Sequence, residues 1–202
     1  MDPLVILIVF GVIAIAKLPD KSLFASLVLG TRYRASWVFA GVATAFLVHV
    51  IIAVAAGGLL TLLPHRVLDV VVAVLFAAGA LLLLFGPEEA QVEEGIDEGV
   101  DASRHLAASP SWRRVALTSF GVVFVGEWGD ITQIAAANYA ARYHDPISVG
   151  VGATLALWAV AALAITAGKR VLDYVSVRIV RRVTGLILAG FAALSAWSAI
   201  MG

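Results

Sequence analysis

The sequence predicts an all-α integral membrane protein of six transmembrane helices, arranged as two inverted three-helix repeats. Three observations carry this expectation. The chain of 202 residues is 61% apolar and 14% charged, against about 45–50% and 25% in ordinary soluble domains. Its apolar residues fall into six runs, each near the 20 or so residues that an α-helix needs to cross the hydrocarbon. Overlaying the halves at an offset of 110 aligns Asp20 with Asp130 and Ser22 with Thr132. Arg32-Tyr33 then meets Arg142-Tyr143, Ala43-Thr44 meets Ala153-Thr154, Leu47 meets Leu157, and Gly58 meets Gly168. Three is an odd number of crossings, so the second unit must enter the membrane inverted relative to the first.

The expected spans are approximately 4–29, 36–62, 67–85, 114–141, 147–167 and 183–201. Met1-Asp2-Pro3 has no basic stretch, so the first run reads as a retained helix rather than a cleaved signal. Short polar turns follow the first, second and fourth spans: Thr31 to Arg34, Pro64 to Arg66, and Arg142 to Asp145. Lys169 to Arg182 is a basic connector that suits a short interfacial helix, with Arg178, Arg181 and Arg182 toward headgroups. Trp37, Trp112 and Tyr143 suit interfacial anchors. Gly57-Gly58, Gly150 and Gly152 suit close helix packing, and Trp128 suits packing against a neighbouring helix.

The segments divide as a first repeat over 1–85, an acidic linker over 86–113 and a second repeat over 114–202. The linker holds seven acids (Glu88, Glu89, Glu93, Glu94, Asp97, Glu98 and Asp101) with Gly95 and Gly99. It reads as a solvated, mostly disordered connector; the sharper reading is a cation-attracting antechamber. Loops on its face of the membrane carry ten Lys or Arg and the opposite loops only Arg66 and Arg142. That bias places the linker in the cytoplasm and both termini outside. An Ala/Val/Gly/Arg-rich, lysine-poor composition points to a bacterial inner membrane. The absence of cysteine excludes disulfides, thiolate metal sites and cysteine nucleophiles.

Two polar clusters interrupt these apolar runs. Glu127-Trp128-Gly129-Asp130-Ile131-Thr132-Gln133 lies within the fourth span, and Lys17-Leu18-Pro19-Asp20-Lys21-Ser22 within the first. Charges at membrane depth cost roughly 2.5–3.5 kcal/mol each on insertion scales and mark functional positions. Glu127 and Asp130 stand at i and i+3, neighbours on one helical face. Glu127 lies about 20 Å into its span at 1.5 Å per residue. Gly129 weakens the helix and permits close backbone approach, while Thr132 and Gln133 add neutral oxygens. Such hard oxygen donors suit calcium, magnesium or manganese rather than copper or zinc. Carboxylates that bind cations also bind protons, so the cluster suits proton-coupled exchange.

In the first cluster Pro19 should free the carbonyl of Ile15 and kink the helix. Asp20 supplies a carboxylate and Ser22 a hydroxyl, and Lys21 neutralises Asp20 or acts in transport. His49, near the middle of the second span, reads as a hydrogen-bonded interior histidine or as a proton relay.

The twin clusters resemble the motif E-x-G-D-[KR]-[ST] that each half of the Gdt-type cation/proton exchangers carries. The resemblance covers the whole chain. It matches at Glu127, Gly129, Asp130 and Thr132 in the second half and at Asp20, Lys21 and Ser22 in the first. It departs at Ile131, where a basic residue is usual, at Pro19, where glycine is usual, and at Lys17, where glutamate is usual. The resemblance implies metal ligation by Asp20, Glu127 and Asp130. It also implies export of manganese, or calcium, against protons by alternating access, with these ions as cargo and no resident cofactor. The alternative is a transport-impaired relative, because an ammonium at position 17 would repel a divalent ion by several kcal/mol at an effective dielectric near 20. Lys17 would then pair with Glu127 or Asp130 as a tethered cation. An intramembrane aspartyl protease is disfavoured, since its second signature is missing and the repeat would go unexplained. The partners expected are a divalent ion, protons and membrane lipids, with no nucleic acid; a homo-oligomer is compatible with these features.

Overall fold

A computed structural model describes residues 1–18, 20–60, 64–85, 88–106, 110–143, 145–167 and 177–201. Among the described residues the chain is helical, with no strand. Asp2 starts α1 (Pro3–Lys17) by accepting from the Leu4 N–H, with Pro3 in the first turn, where its missing N–H is not needed. The helix stops at Leu18, and Asp20 caps α2 (Lys21–Arg32) by accepting from the Ser22 N–H. Then follow α3 (Ala35–Leu60) and α4 (His65–Phe85). Further on come α5 (Glu88–Arg104), α6 (Trp112–Gly126) and α7 (Ile131–Tyr143), then α8 (Pro146–Ala167) and α9 (Val177–Met201).

Among the described residues, two helices are long and apolar enough to cross a membrane, over Ala35–Leu59 and Pro146–Thr166; α1 and α2, bent by 75° at their break, would together make a third. The first and fourth expected spans are each divided between two helices, α1 and α2 in the first and α6 and α7 in the fourth. In α4 and α9 the apolar stretches among the described residues are shorter, Asp69–Leu81 and Gly185–Met201. Leu4, Leu7, Ile51, Leu59, Val125 and Leu186 lie exposed on the outside, an apolar exterior that suits lipid rather than water.

The halves pack crosswise. In each, the first half-helix lies on the long helix of the other half: α1 on α8, and α6 on α3. The second half-helices repeat this, α2 on α8 and α7 on α3, while α4 pairs with α9. The breaks thus meet where the halves cross. Small residues allow the approach: a Cβ on Gly57 would lie 2.4 Å from the Ala137 carbonyl oxygen, and one on Gly152 2.7 Å from that of Ile6. Gly58 instead faces open space, and Gly150 has only ordinary van der Waals neighbours.

The acidic segment is a correction to the expected disorder, since residues 88–104 form α5. Gly95, Gly99, Ala102 and Ser103 are buried, and their i, i+4, i+7, i+8 spacing makes one helical face. A Cβ on Gly95 would stand 2.2 Å from the Lys21 carbonyl oxygen, so α5 is pressed onto the start of α2. The connector over 168–176 and Pro19 lie outside the described residues, as do the side chains of Arg178 and Arg181; Arg182 is exposed. Trp112 and Tyr143 are exposed at helix ends, and Trp37 sits under the Arg34 guanidinium.

Candidate cation site

Glu127 and Asp130 do not share a helical face, as their spacing suggested. Glu127 terminates α6, its N–H bonded to the Val123 carbonyl, and Asp130 precedes α7. Between them Gly129 has φ +76°, a left-handed backbone that glycine adopts without steric cost. No neighbouring atom lies within 4 Å of a Cβ placed there, so backbone conformation rather than close approach requires this glycine.

The two aspartates are built alike. Asp20 Oδ2 accepts from Ser22 Oγ at 2.8 Å and Asp130 Oδ2 from Thr132 Oγ1 at 2.7 Å. Each also accepts a backbone N–H from the helix it begins, that of Ser22 at 3.3 Å and that of Gln133 at 2.7 Å. The crosswise packing brings both against Glu127. One ligand oxygen from each of Asp20, Glu127 and Asp130 lies within 4.8 Å of the others. This spacing and donor set fit a hard divalent cation.

The ammonium of Lys17 lies among these oxygens. It binds Glu127 Oε2, reaches Asp20 Oδ2 at 2.7 Å and Asp130 Oδ2 at 3.1 Å, and stands 5.2 Å from the centre of the Phe46 ring. Its side chain is 1% exposed and that of Glu127 3%. The expected pairing with Glu127 or Asp130 is therefore wider, embracing all three acids. Glu127 Oε1 is buried and has no hydrogen-bond partner among the described residues. Beside it lies a cavity of about 10 Å³, bounded by Phe46, His49, Asp130 and Gln133 among others, about the room one water needs.

Lys21 turns away from this cluster. Its ammonium binds Glu94 at 2.8 Å and Glu98 at 3.3 Å on α5, so neutralisation of Asp20 falls to Lys17 instead. The Ile15 carbonyl accepts the Leu18 N–H at 3.3 Å and is not the freed group expected above. His49 is hydrogen-bonded at both nitrogens, Nε2 to the Phe124 carbonyl at 3.0 Å and Nδ1 to Gln133 Nε2 at 2.9 Å. Gln133 joins the site through this contact and not through its oxygen, which accepts the Gly129 N–H. Trp128 is 63% exposed, with one edge against His49 and Phe124. Sequence reasoning missed Phe46, and it named Glu94 and Glu98 as linker acids but not as partners of Lys21. Phe46 gave no signal within an apolar run, whereas the small residues repeating along α5 were a legible sign of packing.

The family model "Divalent cation/proton antiporter GDT1" matches residues 5–91 and 115–202. The GDT1-like protein sll0615 of Synechocystis is 31% identical over 195 residues, covering 93% of this chain and 94% of that protein. The PAM71-homolog, chloroplastic, of Arabidopsis thaliana is 26% identical over 204 residues, 91% of this chain but 56% of its own length. GDT1-like protein 5 of the same plant is 26% identical, with 88% of both chains covered. No solved structure matches.

Proposed function

The chain belongs to the GDT1 family of divalent cation/proton antiporters, and from that premise we propose that it exchanges manganese, or calcium, for protons at Asp20, Glu127 and Asp130. The observation that carries this reading is the convergence of three carboxylates, from two helix breaks 110 residues apart, within 4.8 Å. Six spans arranged as two inverted halves would let the site open to either side in turn. The crosswise packing of equivalent half-helices supports that arrangement. The Lys and Arg bias supports outward termini and a cytoplasmic α5. In this reading the metal is cargo, exported against protons.

One observation favours a second reading. The Lys17 ammonium contacts every carboxylate of the set, so a divalent ion must displace it. A chain in which Lys17 never leaves would be a transport-impaired relative.

Flux of Mn²⁺ and Ca²⁺ into proteoliposomes with an imposed pH gradient separates the two. Exchange by the wild type, raised in Lys17→Glu, is the expected result. Flux by Lys17→Glu alone would establish the impaired relative. Equal flux by both would remove Lys17 as a competitor, and none by either would overturn cation exchange at this site.

A further inference from the structure

Four groups form a continuous hydrogen-bond chain from α3 to the α6–α7 break. His49 Nε2 meets the Phe124 carbonyl at 3.0 Å, Gln133 Nε2 meets His49 Nδ1 at 2.9 Å, and the Gly129 N–H meets Gln133 Oε1 at 2.7 Å. The Gln133 backbone N–H continues it to Asp130 Oδ1 at 2.7 Å. Both ends have fixed polarity, because a carbonyl only accepts and an N–H only donates. His49 must therefore carry its proton on Nε2 and present a lone pair at Nδ1. Gln133 must then point its NH₂ at His49 and its oxygen at Gly129. The chain closes without conflict only when the imidazole is neutral.

We propose that His49 and Gln133 are positioning residues that hold the α6–α7 break, and with it Glu127 and Asp130, only while His49 is neutral. A proton on Nδ1 sets two donors face to face. Rotating the Gln133 amide relieves that clash but turns NH₂ toward the Gly129 N–H and loses the second bond. Either outcome uncouples α3 from the break at Gly129, whose φ of +76° already marks it as the least helical residue there. The imidazole cannot readily swing aside, since Phe124 and Trp128 flank it at ring-centroid distances of 5.0 and 5.9 Å.

Among the described residues, the charged groups facing His49 are Lys17 from the end of α1 and Glu127 and Asp130 from the break, with Asp20, at the start of α2, behind Lys17. Among the described residues, α7 contributes Gln133, which bonds His49, and Thr132 and Ala136 to the shared cavity, and α8 contributes Ala153 and Leu157. The brace is a local property; its effect on transport rests on the exchange reading above.

Hydrogen–deuterium exchange of the full chain in nanodiscs, corrected for intrinsic rates, tests it on peptides covering 126–133. Wild-type protection should fall about tenfold between about pH 8 and about pH 5, the range in which histidine titrates. His49→Gln supplies one donor and one acceptor but no titration, and should stay protected at both pH values. Gln133→Leu should be weakly protected at both. Wild-type protection that ignores pH, or His49→Gln following the wild-type profile, would overturn the proposal. Proteoliposomes without flux but with these exchange profiles intact would count against cation exchange and for the brace.

Discussion

The two helix breaks have one construction and opposite contents. Each ends a half-helix, places an aspartate before the next one, and bonds that carboxylate to a hydroxyl two residues on. The second break adds a carboxylate at Glu127. The first has Lys17 at the equivalent place, and the two meet directly. The shared part is what an aspartate needs to begin a helix: its oxygen satisfies backbone donors that have no intrahelical acceptor. The differing part decides the charge of the site. A break is thus a structural device that keeps its hydroxyl-bonded aspartate while the group at its mouth changes sign.

The largest effect should come from removing that difference. Lys17→Met leaves three carboxylates without their shared ammonium, and deleting one partner of a buried pair costs about 3–5 kcal/mol. Thermal unfolding in detergent should show this loss. Added Mn²⁺ or Ca²⁺ should restore part of it in Lys17→Met and more in Lys17→Glu, because a ligand that binds only the folded state stabilises it. A chelator should reverse the gain. A wild type that responds to the metal as strongly as Lys17→Glu would show that Lys17 yields without cost.

Backbone geometry ranks second. Gly129→Ala forces a side chain into the left-handed region, at about 1–2 kcal/mol. Gly121, within α6 and with open space around it, offers the control. Gly121→Ala should be neutral or stabilising by up to about 1 kcal/mol, since alanine favours helix. A similar loss at both positions would mean that the break is no more demanding than the helix before it.

Much of this comparison was legible in the sequence. Asp20 and Asp130 align at the same offset as Ser22 and Thr132, and the structure gives these pairs the same hydroxyl–carboxylate bond. Acids at membrane depth would be costly enough that their positions within apolar runs pointed to this cluster. What stayed hidden depended on direction. Spacing put Glu127 and Asp130 on one helical face, but Gly129 turns the chain between them, and a glycine does not announce its φ. Lys21 matched the motif, yet its ammonium lies with Glu94 and Glu98 because α5 docks there. That docking rests on glycines whose spacing was visible, although the seven acids around them suggested disorder. The termini of His49's hydrogen-bond chain are backbone groups, which no side-chain pattern reveals.

A smaller effect tests whether the breaks are equivalent. Ser22→Ala and Thr132→Val each remove one hydroxyl bond to an aspartate, worth about 1 kcal/mol. Equal losses in unfolding experiments would confirm a common construction. The two should also couple, since both aspartates bind the same ammonium, and residues in one network depart from additivity. Strict additivity would instead show that each break holds its carboxylate unaided.

The smallest effect lies at the other end of α1, where the first half-helix has an anchor to the opposite half. Asp145 accepts the Ser148 hydroxyl at 2.6 Å and the Ser148 N–H at 3.1 Å, beginning α8. The backbone N–H of Asp2, which caps α1, reaches the same Ser148 oxygen at 2.7 Å and Asp145 Oδ2 at 3.2 Å. The Ser148 hydroxyl, followed by the Ser148 N–H, holds the Asp145 carboxyl below its ordinary value of 3.8. A carboxylate depressed in the folded state stabilises it above that ordinary value and loses the contribution as the pH falls through the lowered one. The difference in melting temperature between wild type and Asp145→Asn should therefore be constant around neutrality and shrink as the pH drops below 3.8. A difference that persisted unchanged in acid would assign the anchor to hydrogen-bond geometry alone and leave the charge of Asp145 without a part in joining the two halves.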